Sequence, residues 1–548
     1  MIHNPILPGF NPDPAIIRKG DDYYLATSSF EWFPGIPIHH SKDLTNWKMI
    51  DYALKTKKHI DLTCLPPSKG VWAPCLTWCE ADKLFYLLYS NVYNSNRLQF
   101  DVDNFLIHSD DIHGPWSDPV YVNSSGFDAS LFHDDDGKKW IVNQERDSRP
   151  GHEMMRPIIL QEYDPFSEKL VGKPVRLTYG ATKRGFTEAP HIYRHGGFYY
   201  LMTAEGGTGY GHCVALLRAK EIIGPYESCP HNPVITSCTE EFAMRSEISY
   251  LMADLYNPEE VIQKAGHGSL VETQSGEWYI AHLCGRPIMP QKRCVLGRET
   301  AIQQVEWTNE GWLRMTDGTN IAKEFVPEPK MPEGNATEQQ GDENPRDDFD
   351  TPELDLRFNT PRSEITPDWA SLTARPGFLR LRGRESLTSN HQPSLIARRL
   401  TAFNATITAK MEFDSDCYFQ RAGIACYYEP FNFYSIYKTW SEELGSPVIN
   451  ISGLINKDYV CGDNSYAVVE KNAPLFLRAE IRTARLQFSF SVDGIEFKNL
   501  GPVFDMTALS DEAVKYGEFT GTFVGMFAQD SHTRERCADF GYFEYSED

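Results

Sequence analysis

Residues 13–28, DPAIIRKGDDYYLATS, hold two short apolar runs on either side of a Lys-Gly-Asp-Asp turn. β-Branched and aromatic residues in runs this short, bounded by turn formers, predict a pair of antiparallel strands. The second run recurs as KLFYLLYS around Tyr86, KKWIVNQ around Trp140, GFYYLMTA around Tyr200 and EWYIAHL around Tyr279. The first run, DPAII from Asp13, recurs as WAPCL from Trp72, DASLF from Asp128, EAPHIY from Glu188 and HGSLV from His267. Copies return about every 55 to 80 residues, enough chain for a four-stranded antiparallel sheet, and radial repetition of such sheets makes a β-propeller. Five copies predict five blades over residues 1–325.

Downstream, KEFVPEPKMPEGNATEQQGDENPRDDFD at 323–350 is rich in Pro, Glu, Asn and Gly and poor in apolar residues. It reads as a connector, placed at 326–346. Beyond it, FLRLRGRES, ATITAKMEF, AGIACYYEP, FYSIYKTW, LFLRAEIR, LQFSFSVDG and FVGMFAQD alternate or run apolar between turn signals. These predict a two-sheet β-sandwich over 347–548, and the chain as a whole is all-β. The single helical candidate, SEISYLMADLYNPEEVIQ from Ser246, falls between the fourth and fifth repeats and reads as an insertion.

Composition narrows the function classes. Lys and Arg number 53 against 76 Asp and Glu, a formal net charge of −23, so long-range electrostatics repel nucleic acid and anionic membrane. Aromatic residues are 13% of the chain, a proportion that suits sheets and sugar-binding surfaces. No stretch approaches a membrane span, and the first residues, MIHNPILPGFNPDP, lack the basic and apolar regions of a signal peptide, so a cytoplasmic protein is expected. The cysteines are scattered, and the close pair Cys75 and Cys79 lacks the second pair a zinc site requires.

In a propeller the innermost strands line the axis, so equivalent repeat positions converge there. If the first run is the innermost strand, Asp13, Trp72, Asp128, Glu188 and His267 are equivalent and meet at one end of the funnel. Three are carboxylates. Crowding them raises at least one pKa, a cost tolerated where chemistry uses it. Two carboxyls flanking a neutral ligand, one protonated and one ionised, are the machinery of glycoside hydrolysis. Trp72, with Phe30 and Phe33 of SSFEWFPG, offers apolar surface for a sugar's CH faces.

The motifs GFNPDP, SSFEWFPGIPIHHSKDLTNW, GVWAPCL, GFDASLFHDDDGKKW, RGFTEAPHIY, TAEGGTGYGH, KAGHGSLVETQSGEWYIAHL and CVLGRETAIQ, with GEFTGTFVGMFAQD and ADFGYFEY near the end, resemble glycoside hydrolase family 43, in its two-domain β-xylosidase subgroup. The resemblance implies a five-bladed propeller followed by a jelly-roll, concanavalin-like sandwich that closes the active-site pocket. It also implies exo-acting hydrolysis of β-1,4-xylooligosaccharides from the non-reducing end with inversion, Asp13 being the general base, Glu188 the general acid and Asp128 the modulator of the acid's pKa. Such a reaction needs base and acid about 6.5–9.5 Å apart. An ionised Asp128 is expected to lift Glu188. By the same resemblance Phe30, Trp72, Thr208, His267, Arg298 and Phe519 bind substrate, with Phe523 competing with Phe519 for the aromatic position supplied by the sandwich. His267 is expected to act structurally or electrostatically with no obligatory metal, calcium being possible and no cofactor required, and the assembly is expected to be a homodimer or homotetramer. Two rival readings are an α-L-arabinofuranosidase, alone or as a second activity, and a non-catalytic carbohydrate-binding protein. A retaining fructosidase would need NDPNG and RDP motifs, and the chain offers only RDS at Arg146.

Overall fold

The computed structural model describes residues 1–95, 99–152, 156–238, 256–330, 344–461 and 465–548. Five antiparallel sheets form the blades of a propeller. Each is led by an inner strand: Ala15–Lys19, Gly70–Cys79, Ser130–His133, Glu188–His195 and Gln263–Glu272. The aromatic strands predicted around Tyr24, Tyr86, Trp140, Tyr200 and Tyr279 pair with them as the second strand of each blade. Neighbouring blades bury these residues against one another; Tyr23 and Leu25 of blade 1 pack with Tyr279 and Ala281 of blade 5. The ring is fastened where it starts: Ile2–His3 pairs with Phe325–Val326, and Asn4 Nδ2 donates to the Ile302 and Lys323 carbonyls at 2.8 and 2.9 Å.

The register corrects one expectation. Ala15, Cys75, Ser130, His191 and Ser269 each pair with the residue that follows by one the central apolar position of the second strand, and so are equivalent. Two residues upstream, the equivalent set is therefore Asp13, Ala73, Asp128, Ala189 and His267. Trp72 and Glu188 stand one position earlier, beside Phe127. All five members of the true set have left-handed backbone, with φ of 56°, 41°, 54°, 51° and 52°. In blades 2, 4 and 5 the ladder register shifts across this point, as at a β-bulge, so one residue is displaced without breaking the strand.

The second body is a sandwich. One sheet runs in the order Ala370–Ser371, Leu379–Arg382, Cys537–Glu547, Asn404–Glu412, Leu475–Arg482, Arg485–Ser491, Lys498–Asp505, with Arg346–Asp347 also pairing to Cys537–Glu547. The other is built on Ser394–Arg399, Phe523–Asp530, Gln420–Glu429, Asn432–Ser441 and Ser446–Ile455. Their inner faces form a continuous core that includes Ile407, Leu477, Phe488, Ile436 and Met526. Of the expected helix, residues 246–255 lie outside the described residues, and 256–262 form turns and bends. Cys75 and Cys79 pack in the core between blades 2 and 3, and among the described residues no disulfide joins any of the twelve cysteines. Among those residues, too, no helix is long and apolar enough to cross a membrane.

The two bodies share a hydrophobic core. Phe10, Phe30 and Trp32 of the propeller cluster with Leu395, Tyr427, Phe433, Phe523 and Phe527 of the sandwich, and the Trp32 and Phe523 rings stack at 3.5 Å. Around this core the contact is polar: Trp32–Phe33 pairs with Thr360–Pro361, Arg399 Nε donates to the Phe10 carbonyl at 2.7 Å, and Arg362 Nε donates to the Leu65 carbonyl at 2.7 Å. A core shared in this way couples the stabilities of both bodies. Phe523→Ala is expected to cost about 3–5 kcal/mol, lowering the denaturant midpoint of propeller and sandwich together. Two separated unfolding transitions, with only the sandwich shifted, would contradict the coupling.

Candidate active site

The left-handed residues explain how the acids are held. In that conformation the Ala189 N–H donates to Asp128 Oδ2 at 3.0 Å, and the Ala73 N–H donates to Ser28 Oγ at 2.7 Å. Ser28 Oγ in turn donates to Asp13 Oδ2 at 2.6 Å. Each bare alanine of blades 2 and 4 thus supplies a backbone donor to the carboxylate of the blade before it, directly or through a hydroxyl. Asp13 Oδ1 also lies 3.1 Å from Arg298 Nη1 and 3.5 Å from His267 Nδ1. Glu188 faces Arg156, whose Nη1 is 3.9 Å from its Oε2. All three acids and these arginines are nearly buried.

Arg298 ties the remaining residues together. Its Nη1 donates to Thr208 Oγ1 at 3.1 Å as well as to Asp13, and its Nε donates to the Phe519 carbonyl at 3.0 Å. Its guanidinium lies 5.1 Å from the Phe30 ring and 5.5 Å from the Phe519 ring, within cation–π range. Phe30 meets Trp72 at 5.4 Å, and Trp72 meets Phe127 at 5.7 Å. The structure therefore brings Asp13, Asp128, Glu188, Phe30, Trp72, Thr208, His267, Arg298 and Phe519 into one constellation. Phe33 is not part of it: its ring is packed in the core between blades 1 and 2. Phe523 is likewise excluded, being fully buried against Trp32.

Residues outside the sequence-derived set also belong to the site. Ser28 bridges two blades onto Asp13, and His212 lies beside it, packed so tightly on Gly266 that a Cβ there would lie 2.3 Å from its ring, with burial pushing its imidazole down to about 3. Arg156 and Arg146 add positive charge at Glu188. These are polar residues in strand ends and turns, and only their spatial convergence distinguishes them.

The carboxyls occupy different environments. Burial pushes Asp13 upward, but the Arg298 guanidinium, His267 and the Ser28 hydroxyl outweigh it and hold the group below the usual carboxylate range. Burial raises Glu188 to about 7; Arg156 opposes this, and the negative charge of Asp13 adds to it. Asp128 is also raised well above its ordinary value, first by burial and then by Glu188 and Asp13. Asp128 and Glu188 are close neighbours that disfavour each other's ionisation, and the negative charge of Asp13 raises both. Burial pushes the His267 imidazole down, which disfavours a cation beside Asp13. Among the described residues no group of three or more His, Cys, Asp or Glu side chains is arranged to hold a metal ion.

Residues 2–313 match the family described as glycosyl hydrolases family 43, and residues 346–546 match the β-xylosidase C-terminal concanavalin A-like domain. A xylan 1,3-β-xylosidase of Vibrio sp. is 41% identical over 100% of this chain and 99% of its own. Xylosidase/arabinosidase 43B of Humicola insolens is 39% identical over 100% and 97%. The crystal structure of xylan β-1,4-xylosidase from Bacillus halodurans C-125 superposes with a TM-score of 0.93 at 45% identity, covering 100% of both chains. The axial acids, the propeller and the sandwich that supplies Phe519 are thus parts of one matched whole, and the chain belongs to glycosyl hydrolase family 43.

Proposed function

We propose that the protein is an exo-acting, inverting β-xylosidase that releases xylose from the non-reducing end of β-1,4-xylooligosaccharides. The observation that carries this reading is the electrostatic separation of two buried carboxyls on one axis, Asp13 held low and Glu188 lifted to about 7. At neutral pH one is a ready base and the other still holds a proton in a large part of the molecules, which is the division of labour that inverting hydrolysis requires.

In this mechanism the Asp13 carboxylate takes a proton from water as that water attacks the anomeric carbon. Glu188 gives its proton to the glycosidic oxygen as the bond breaks. The turnover leaves Asp13 protonated and Glu188 ionised, and exchange with solvent restores both. Asp128 shares its environment with Glu188, and because two buried acids so close cannot both ionise freely, the pair retains a proton for the leaving group. Arg298 Nη2 is buried and makes no hydrogen bond within the protein, which supports a role as donor to a sugar hydroxyl. Phe30, Trp72 and Phe127 give an apolar wall beside it. Phe519, brought from the sandwich to Arg298, supports a pocket narrowed to one terminal sugar. The mixed name of the Humicola relative favours α-L-arabinofuranosidase action as a second activity, since terminal xylopyranosides and arabinofuranosides present similar hydroxyls.

Proton NMR of β-1,4-xylobiose hydrolysis tests the reading: α-xylose is expected first, and β-xylose as the initial product would overturn inversion. A parallel run with the β-1,3 isomer and with nitrophenyl arabinofuranoside ranks the linkages and sugars, and a higher kcat/KM for either than for the β-1,4 substrate would displace the proposed specificity. Asp13→Ala is expected to lower kcat at least about 10³-fold on every substrate, because water activation is lost. Glu188→Ala is expected to lose far less with a nitrophenyl leaving group than with xylobiose; equal losses on both would contradict the acid role. Arg156→Met removes positive charge that favours ionised Glu188, so the alkaline limb of the pH profile of kcat/KM, where the acid loses its proton, should move up by about half a unit.

A further inference from the structure

Behind Phe519 lies a buried charge cluster that spans both bodies and meets the site only through the Phe519 backbone. Lys264 of blade 5 and Asp511 of the sandwich are both fully buried, with Nζ and Oδ2 3.3 Å apart, and Lys264 Nζ also lies 2.7 Å from Glu512 Oε1. Glu512 is occupied at its other oxygen, where Oε2 accepts the Cys294 N–H at 2.9 Å. The other oxygen of Asp511, Oδ1, accepts the Phe519 N–H at 3.1 Å and the Tyr428 hydroxyl. Taking such charges out of water is unfavourable unless every one is paired, so a cluster of this kind fixes geometry more than it adds stability.

What it fixes is Phe519. This residue has φ of 82°, a strained conformation for a side-chain-bearing residue, which persists only where its surroundings determine it. Both of its peptide groups are determined: Asp511 receives the N–H, and Arg298 Nε donates to the carbonyl at 3.0 Å. The backbones on either side interlock without room for a side chain. A Cβ on Gly297 would lie 2.2 Å from the Thr520 carbonyl oxygen, and one on Gly521 would lie 2.6 Å from that of Leu296. Arg298 is therefore gripped from behind by the sandwich while its Nη1 reaches Asp13 and Thr208 at 3.1 Å.

We propose that Asp511, held in place by Lys264, is a positioning residue of the active site that acts through the Phe519 backbone to set Arg298 against Asp13. The proposal rests on the reading of Asp13 as the base. The groups that face Asp13 are Arg298, His267, His212 and Ser28, with Asp128 and Glu188 feeling its charge in return. Of these, Arg298 is the one that bonds directly to the sandwich, whereas His212 meets only the Lys264 carbonyl, at 3.2 Å. A carboxylate is required at 511 because it must accept on both oxygens. An amide either turns its NH₂ toward the Lys264 ammonium or presents it to Phe519 N–H and Tyr428 OH, so Asp511→Asn frustrates the network at nearly unchanged volume.

The test is the pH dependence of kcat/KM on nitrophenyl xyloside, measured for the full chain with thermal unfolding as a check on folding. For Asp511→Asn the acid limb, where the base gains its proton, is expected to move up by about half a pH unit as Arg298 loosens, with kcat/KM falling about tenfold. Phe519→Ala keeps the N–H and the carbonyl, so it should raise KM while leaving the limb in place. An Asp511→Asn limb that coincides with wild type, whatever the loss of activity, overturns the positioning role. Arg298→Met separates this from failure of the underlying reading: if removing that charge leaves the limb unmoved, the limb is not set by the Arg298–Asp13 pair and both fall. Should Asp511→Asn not fold, Lys264→Met/Asp511→Asn frees the amide oxygen to face Phe519, and its limb should return to the wild-type position; a folded double variant with the limb displaced would equally overturn the proposal.

Discussion

Each inner strand reaches the propeller axis through one residue in left-handed backbone conformation, and the site is organised by these five residues. For residues bearing a Cβ the conformation is disfavoured by about 1–2 kcal/mol each. It recurs at Asp13, Ala73, Asp128, Ala189 and His267. Its return is visible in the donors it releases. The N–H groups of Ala73 and Ala189, which a regular strand would direct along its ladder, turn to Ser28 and Asp128 instead. Glu188 precedes a left-handed residue where Asp13 and Asp128 occupy one, so the acid enters the site from a different backbone position than the other two. The difference in environment follows. Asp13 gathers Arg298, His267 and Ser28 around it, while Glu188 has Arg156 3.9 Å away, with Arg146 adding positive charge, and its burial keeps it protonated to higher pH.

The sandwich reaches the candidate site directly, through Phe519 at Arg298. The cluster that joins the bodies begins with Phe10, Phe30 and Trp32, and Phe30 is also the ring beneath Arg298. Removing apolar surface from the joint would therefore disturb the pocket and the fold by the same contacts. The polar ties at Arg362 and Arg399 seat buried guanidinium groups on main-chain carbonyls of the propeller, which fixes the orientation of one body on the other as an apolar patch alone would not.

Much of this was legible in the chain. The aromatic second strands carry Tyr24, Tyr86, Trp140, Tyr200 and Tyr279 at one repeat position, because each must fill the space between blades, and that demand marks the sequence. The axis leaves a fainter mark. At Ala73 and Ala189 the function is performed by the backbone, and an alanine in left-handed conformation looks like any other, so alignment by visible chemistry placed Trp72 and Glu188 one position out of register. The three acids converge on the axis in spite of this, since a displacement of one residue at a bulge still leaves the side chain facing it. Phe519 and Phe523 differ in a way that only strand pairing reveals: Phe523 opens a strand pairing with Arg399 and Tyr427, and its ring is committed to the core. Lys264 and Asp511 are distant in sequence, and nothing in either neighbourhood announces the partner.

The ring of left-handed residues has five-fold repetition in its backbone but not in what it carries. Two positions hold a methyl group, two hold carboxylates and one an imidazole. A ligand lying across the axis meets a different chemical neighbour in every direction, with the guanidinium of Arg298 on one flank and that of Arg156 on another. A near-symmetric scaffold is thereby made handed, and on the proposed reading a sugar, itself without symmetry, has a single angular setting in which its hydroxyls and its breaking bond all find their counterparts.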